Sequence, residues 1–146
     1  MLNNFTEILR MHPPVQRLER KCTQDYTMPG ASFTIPKGMM VGIPVDSIHY
    51  DPKYYQNPEQ FDPERFSAEN KANRSPYTYL PFGTGPRNCI GMRFALVEVK
   101  VALSYFIYNF QVAPLEGITP IPIKMWKQFG FTRVPKDLQL KLIPRR

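Results

Sequence analysis

From Phe82 to Gly91 the chain reads Phe-Gly-Thr-Gly-Pro-Arg-Asn-Cys-Ile-Gly, a glycine-rich loop with one cysteine, and an apolar-periodic run begins immediately after it at Met92. The spacing places Cys89 beside a helix N-terminus. First-turn amides have no intrahelical acceptor and the helix dipole is positive there, so a thiol held at such a place ionises more readily. A thiolate serves either as a nucleophile or as a metal ligand. A nucleophile needs a general base, and nothing in the sequence ties His12 or His49, the only histidines, to Cys89. Ligation is therefore the better use of the group. Zinc and iron–sulfur clusters want several thiolates or imidazoles, whereas a haem iron takes a single proximal cysteine. On a haem reading, Gly85 and Gly91 let the backbone approach a flat macrocycle, Arg87 answers a propionate and Phe82 keeps water from the sulfur. A buried structural cysteine beside a helix remains open as the plainer alternative. A phosphate loop fits worse, since Asn88 stands where the dinucleotide fingerprint needs glycine and no Gly-Lys-Ser/Thr follows.

The pattern F-x-x-G-x-R-x-C-x-G is met at Phe82, Gly85, Arg87, Cys89 and Gly91, and on it the chain resembles the cytochrome P450 family. Two further motifs fall in the family's order. Glu7-Ile8-Leu9-Arg10 matches E-x-x-R, and Arg65 in Asp62-Pro63-Glu64-Arg65-Phe66 matches the arginine that completes a buried network with that pair. An isolated acid–base pair one helical turn apart is ordinarily a solvated bridge of little energy, and only this context makes Glu7, Arg10 and Arg65 a structural network. Within the family, Pro13-Pro14, Arg17-Leu18-Glu19-Arg20 and Gly91-Met92-Arg93-Phe94-Ala95-Leu96 resemble the animal microsomal, xenobiotic-oxidising branch, and most of all its arthropod members. The resemblance implies an α+β piece of a mainly α-helical fold: the haem-proximal, C-terminal part of one domain, with residues 1–146 a single partial domain. The distal helices and an N-terminal anchor would lie outside it.

Composition sets the bounds. At 146 residues and 42% hydrophobic content, the chain has enough apolar matter for a core. Cys22 and Cys89 could pair only once and no C-x-x-C occurs, which fits a reduced compartment. No run approaches the roughly 18 apolar residues of a membrane span. A net charge of +7 permits nucleic acid, an anionic membrane or an acidic protein as partner, but the charge is too evenly scattered to choose.

Taken in order, Leu2, Phe5, Ile8 and Leu9 predict a helix over about Asn4 to Met11, ended by Pro13-Pro14. Val15 to Cys22, Phe33-Thr34-Ile35 and Met39 to Ile43 read as strands of a small meander with turns at Met28-Pro29-Gly30 and Pro36-Lys37-Gly38. Val45 to Tyr55 has a short helical or turn-rich character, and its His49 reads as a hydrogen-bonded structural residue without chemistry. Residues 57–81 read as an irregular wrap, most solvent-like at Glu69-Asn70-Lys71-Ala72-Asn73-Arg74. Met92 through Asn109 is the longest helix, apolar on more than one side and so expected to be largely buried. Its Arg93, Glu98 and Lys100 form a wet face or a dock for an acidic redox partner. Ile121, Ile123, Met125 and then Leu138, Leu140, Leu142 alternate with period two and predict a terminal hairpin connected by Trp126 to Pro135.

The resemblance further implies a haem-thiolate monooxygenase that inserts one atom of O2 into a small lipophilic substrate, with haem b on the Cys89 thiolate. NADPH would supply the electrons through a flavoprotein reductase at the cytoplasmic face of the endoplasmic reticulum membrane. It makes Arg20 a second propionate partner and Val15, Gln16, Phe129 and Phe131 candidate substrate contacts. Two other functions stay in view: a truncated product without activity, and a basic nucleic-acid-binding module suggested only by charge and by 10 Phe, 8 Tyr and 1 Trp. Nucleic acid is not expected as a partner.

Overall fold

The computed structural model describes residues 2–119, 123, 125, 135–136 and 138–145. They fall into two compact units, Met1–Gly83 and Thr84–Arg146. Helix and strand are both present, so the content is α+β.

The first unit opens with helix α1, Leu2–Met11, two residues longer at its start than its apolar spacing suggests. It stops where Pro13-Pro14 removes two amide donors. Strand β1, Arg17–Lys21, pairs antiparallel with β4, Met40–Pro44, in the register Arg17↔Pro44 to Lys21↔Met40. Between them β2, Tyr26–Thr27, pairs with β3, Thr34–Ile35. Val15 and Gln16, read as strand, instead form the non-strand approach to β1. Helix α2, Val45–His49, follows β4 directly.

Residues 57–81 are not a plain irregular wrap but a series of short capped turns. Asp62 Oδ1 accepts from Glu64 N at the head of a 3-10 turn, Pro63–Phe66, and Ser67 Oγ from Asn70 N at helix α3, Ala68–Ala72. Ser75 Oγ accepts from Tyr77 N at a second 3-10 turn, Pro76–Thr78. Each cap satisfies an amide that a short element cannot bond internally, and proline at N1 or N2 of both 3-10 turns has no amide to satisfy. Arg74 departs from the solvent-like reading: its guanidinium lies over the rings of Tyr55 and Phe66 at 4.7 and 4.9 Å and donates to Arg65 O. The buried set of this unit mixes Leu9, Val45, Tyr55, Phe66 and Leu80 with Glu7, Arg10, His49 and Thr78. With so many polar groups inside, hydrogen bonding decides how it holds together.

In the second unit, helix α4 runs Met92–Asn109 and passes without a break into strand β5, Phe110–Pro114. Helix α4, expected to be largely buried, is not buried among the described residues. None of its residues is buried, and Phe94 and Tyr105 are 73% and 72% exposed. An apolar helix surface is buried only where another layer lies on it, and periodicity in the helix carries no information about that layer. The terminal segment adds a pairing that its alternation did not suggest. Strand β6, Leu140–Pro144, pairs with β5 in the register Phe110↔Pro144 to Pro114↔Leu140, while Met125 makes an isolated bridge to Pro135. Alternation marks a strand but does not choose its partner, and β5 was concealed at the end of the apolar helix. Ile121 and the 126–134 stretch, with Phe129 and Phe131, lie outside the described residues. No helix among the described residues is long and apolar enough to cross a membrane.

Candidate functional site

Two places carry the candidate residues, one in each unit. In the first, the α1 spacing sets Glu7 and Arg10 on one side of the helix, both with no exposed surface. Arg10 Nε donates to Glu7 Oε2 at 2.8 Å and Nη2 to Oε1 at 2.9 Å, a two-pronged pairing of planar groups. Two further Arg10 donors go to main-chain carbonyls, Nη1 to His49 O at 2.8 Å and Nη2 to Pro58 O at 2.7 Å. Glu7 Oε1 also accepts from Asp62 N at 3.1 Å and lies 3.5 Å from Arg65 Nε. Arg65 is one-tenth exposed, with Nη2 donating to Asn57 O and Nε 3.8 Å from Asp62 Oδ2. The structure thus brings Glu7, Arg10 and Arg65 together. Aromatic rings close around them, with the Arg10 guanidinium over Tyr50 and Tyr55 at 5.4 and 5.2 Å.

Sequence reasoning treated His49 as structural and did not connect it to this group. The imidazole is fully buried, accepts Leu80 N–H at Nε2 (2.8 Å) and reaches Arg10 O through Nδ1 (3.0 Å). Because an amide only donates, Nε2 is the acceptor and Nδ1 carries the proton. Burial lowers its pKa from 6.5 to about 4, and the Arg10 charge acts in the same direction, while the Arg10 carbonyl bond, Asp46 and Glu7 oppose it. Tyr79 stacks on the ring at 5.6 Å and donates its hydroxyl to Thr6 O, and burial raises its pKa. Tyr55 meets the ring edge-on at 6.4 Å and donates to Thr78 O. No sequence pattern flags these partners, because most of them are main-chain atoms.

Phe82 is half-buried at the end of the first unit. Gly85, Arg87, Cys89 and Gly91 belong to the second, where Gly85–Arg87 forms a 3-10 turn and Asn88 N returns to Gly85 O. Gly85 has φ +75°, a left-handed conformation that side chains other than glycine resist. Cys89 is exposed, three residues before the first residue of α4, with Gly91 at the N-cap. A Cβ on Gly91 would come within 3.9 Å of Cys89 Sγ, while one on Gly85 would meet nothing within 4 Å. Among the described residues no three His, Cys, Asp or Glu side chains stand together as a bare metal ion would need. One accessible sulfur with open glycine backbone beside it suits an iron whose in-plane ligands come from a macrocycle. Arg87 is exposed and Arg20 half-buried, the latter donating to Glu19 O. Arg17 forms an exposed ion pair with Glu19. Gln16 carries a buried side-chain nitrogen without a hydrogen-bond partner.

The cytochrome P450 family model matches residues 3–142. The chain belongs to the cytochrome P450 family. Cytochrome P450 9e2 of Blattella germanica is 54% identical over 127 residues, covering 86% of this chain and 24% of that protein. Cytochrome P450 3A31 of Mesocricetus auratus is 49% identical over 141 residues, 97% of this chain and 27% of that protein. The chain therefore spans about a quarter of the length of these relatives. This P450 sequence carries the buried carboxylate–guanidinium group and the cysteine loop in one continuous stretch, from Glu7 to Gly91.

Proposed function

We propose that residues 1–146 are one part of a single larger P450 domain whose full-length protein is a haem-thiolate monooxygenase. The observation that carries this reading is the accessible Cys89 sulfur in the family's glycine-rich loop. Cys89 offers its thiolate to the iron of haem b. Bound there, haem would supply the redox chemistry that places one atom of O2 on a substrate. Arg87 and Arg20 hold propionates by charge-assisted hydrogen bonds. Gly85 and Gly91 leave the backbone free to lie close to the macrocycle, and Phe82 limits water near the sulfur. Glu7, Arg10 and Arg65 act structurally. Val15 and Gln16 edge the space for a small lipophilic substrate, where the unpartnered Gln16 nitrogen offers a donor, and Phe129 and Phe131 are further candidate contacts to that substrate. Electrons come from NADPH through a flavoprotein reductase, at the cytoplasmic face of the endoplasmic reticulum membrane. Nucleic acid has no part in this function.

The exposed apolar surface of α4 favours a second statement, that these residues alone do not oxidise substrate. Two measurements test the pair of statements. The reduced, CO-treated absorbance spectrum of the full-length protein should show the thiolate-type band and lose it in Cys89→Ala; a band that survived would overturn the assignment. Product formed per NADPH consumed, with reductase supplied, should be near zero for residues 1–146 alone, and tight coupling would refute the second statement.

A further inference from the structure

We propose that His49 is a positioning residue for the thiolate site: its neutral imidazole ties the Leu80 peptide, and with it the Leu80–Phe82 approach to the cysteine loop, to the buried Glu7–Arg10 pair. The proposal rests on the haem-thiolate reading for its readout and on the first unit's geometry for its argument. Leu80 is buried, and its amide finds its acceptor in His49 Nε2 at 2.8 Å. The Leu80 carbonyl accepts from Gly83 N at 3.0 Å, so the same residue is fixed on both sides just where the chain turns into the loop. At the far end of the imidazole, Nδ1 donates to Arg10 O, and Arg10 Nη1 donates back to His49 O. His49 is thus clasped to α1 by two bonds and holds Leu80 by a third.

The chemistry demands one particular form of the side chain. A donor is needed at one end of a rigid ring and an acceptor at the other, which neutral imidazole with its proton on Nδ1 provides. A protonated ring would present an N–H to the Leu80 N–H and could not hold it. The groups facing the ring are set accordingly: Arg10 from α1 opposes protonation, Glu7 from α1 and Asp46 from α2 favour it, and the Tyr55 and Tyr79 rings cover its edge and face. A buried donor that loses its partner retains its full desolvation cost, so losing the Nε2 acceptor should release the loop's approach rather than be absorbed locally.

The test uses the full-length holoprotein and three replacements. His49→Gln places an amide oxygen near the Nε2 position; His49→Asn reaches only the Nδ1 position; His49→Phe keeps a ring for Tyr79 to stack on but neither bond. Loss of the buried acceptor predicts roughly ten- to hundredfold more of the thiol-bound over the thiolate-bound form in Asn and Phe. The reduced CO spectrum reads this at equal haem content, with His49→Gln restoring most of the thiolate-type signal. Equal signals in all three variants and the unmutated protein would overturn the proposal, as would Gln behaving like Phe. A thiolate-type signal missing from the unmutated protein would instead defeat the haem-thiolate reading. If the variants take up no haem, hydrogen exchange on the unmutated protein decides. The Leu80 amide should be strongly protected near neutral pH and lose protection as the pH approaches about 4, where His49 titrates. A Leu80 amide unprotected at neutral pH would refute the tie.

Discussion

Replacing Glu7 with alanine should be far more damaging than removing any exposed carboxylate of the chain. Glu7 takes two short bonds from Arg10, at 2.8 and 2.9 Å, and one from the Asp62 amide at 3.1 Å, with Arg65 Nε 3.5 Å away. In Glu7→Ala the fully buried Arg10 keeps only the His49 and Pro58 carbonyls, which orient its donors without cancelling its charge. Two charge-assisted bonds at about 1.5–3 kcal/mol each give roughly 3–6 kcal/mol. Breaking a buried ion pair by removing one partner typically costs about 3–5 kcal/mol, so the two routes agree. Glu19 provides the control, since its 3.1 Å pair with Arg17 has side chains 61% and 51% exposed and should be worth about 0–1 kcal/mol. Urea unfolding of the full chain, followed by far-UV circular dichroism, measures both. With a slope of about 1–3 kcal/mol per molar urea, Glu7→Ala should lower the midpoint by around 2 M or leave no folded baseline, and Glu19→Ala by a few tenths. A Glu7→Ala midpoint no lower than that of Glu19→Ala would refute the reasoning.

Other perturbations test separate parts of the structure. The His49 pKa is held at about 4 in the folded chain against about 6.5 unfolded, so between these values the unfolded state binds more protons; stability present above pH 6.5 falls by about 3 kcal/mol as the pH drops to 4. His49→Gln should lack that part of the acid dependence in urea midpoints measured from pH 7 to 4. Arg74→Met removes a guanidinium from between Tyr55 and Phe66 together with its bond to Arg65 O, and should cost about 1–3 kcal/mol by the same measurement. Gly85→Ala forces a side chain into φ +75° with no atom in its way, so the cost should be backbone strain alone, about 1–2 kcal/mol; a neutral substitution would show that the turn relaxes.

What could be read from the sequence was the part carried by side-chain spacing. Cys89 stands in a glycine-rich loop just before a helix, so residue type and position nominate it directly, whereas Glu7 and Arg10, one turn apart on an apolar-periodic helix, read as a network only together with that loop and Arg65. His49 could be recognised as structural but not as a link, because its bonds go to the Arg10 carbonyl and the Leu80 amide, main-chain groups that every residue possesses. Arg74 was misjudged because Glu69, Asn70, Lys71 and Asn73 around it are polar, and a local average cannot see Tyr55 and Phe66 arriving from elsewhere in the chain. The exposure of α4 is of another kind. Its residues are as apolar as expected, but burial belongs to pairs of elements, and no single element's pattern contains its partner. Strand β5 escaped notice because Phe110 and Val112 continue an apolar run without a punctuating glycine or proline.

The bonds of the Glu7–Arg10 pair share a property that bears on its role. They join α1 to His49, Pro58 and Asp62, which lie 39, 48 and 55 residues along the chain from their partners. Nearly all of the pair's reach is toward main-chain atoms, so what it specifies is the course of the backbone and not the shape of a substrate space. His49 carries the same tie 31 residues further, to Leu80. On the proposed reading, a change in Glu7, Arg10 or Arg65 should lower haem capture, because it frees the segment that delivers the cysteine loop. Among the described residues Val15 and Gln16 make no such long-range side-chain bonds, and changes there should alter which substrate is taken while haem content stays constant. The two classes of substitution are therefore separable in one experiment that measures haem content and product ratio together, and a Glu7 or Arg10 variant with full haem and a changed product ratio would contradict the division.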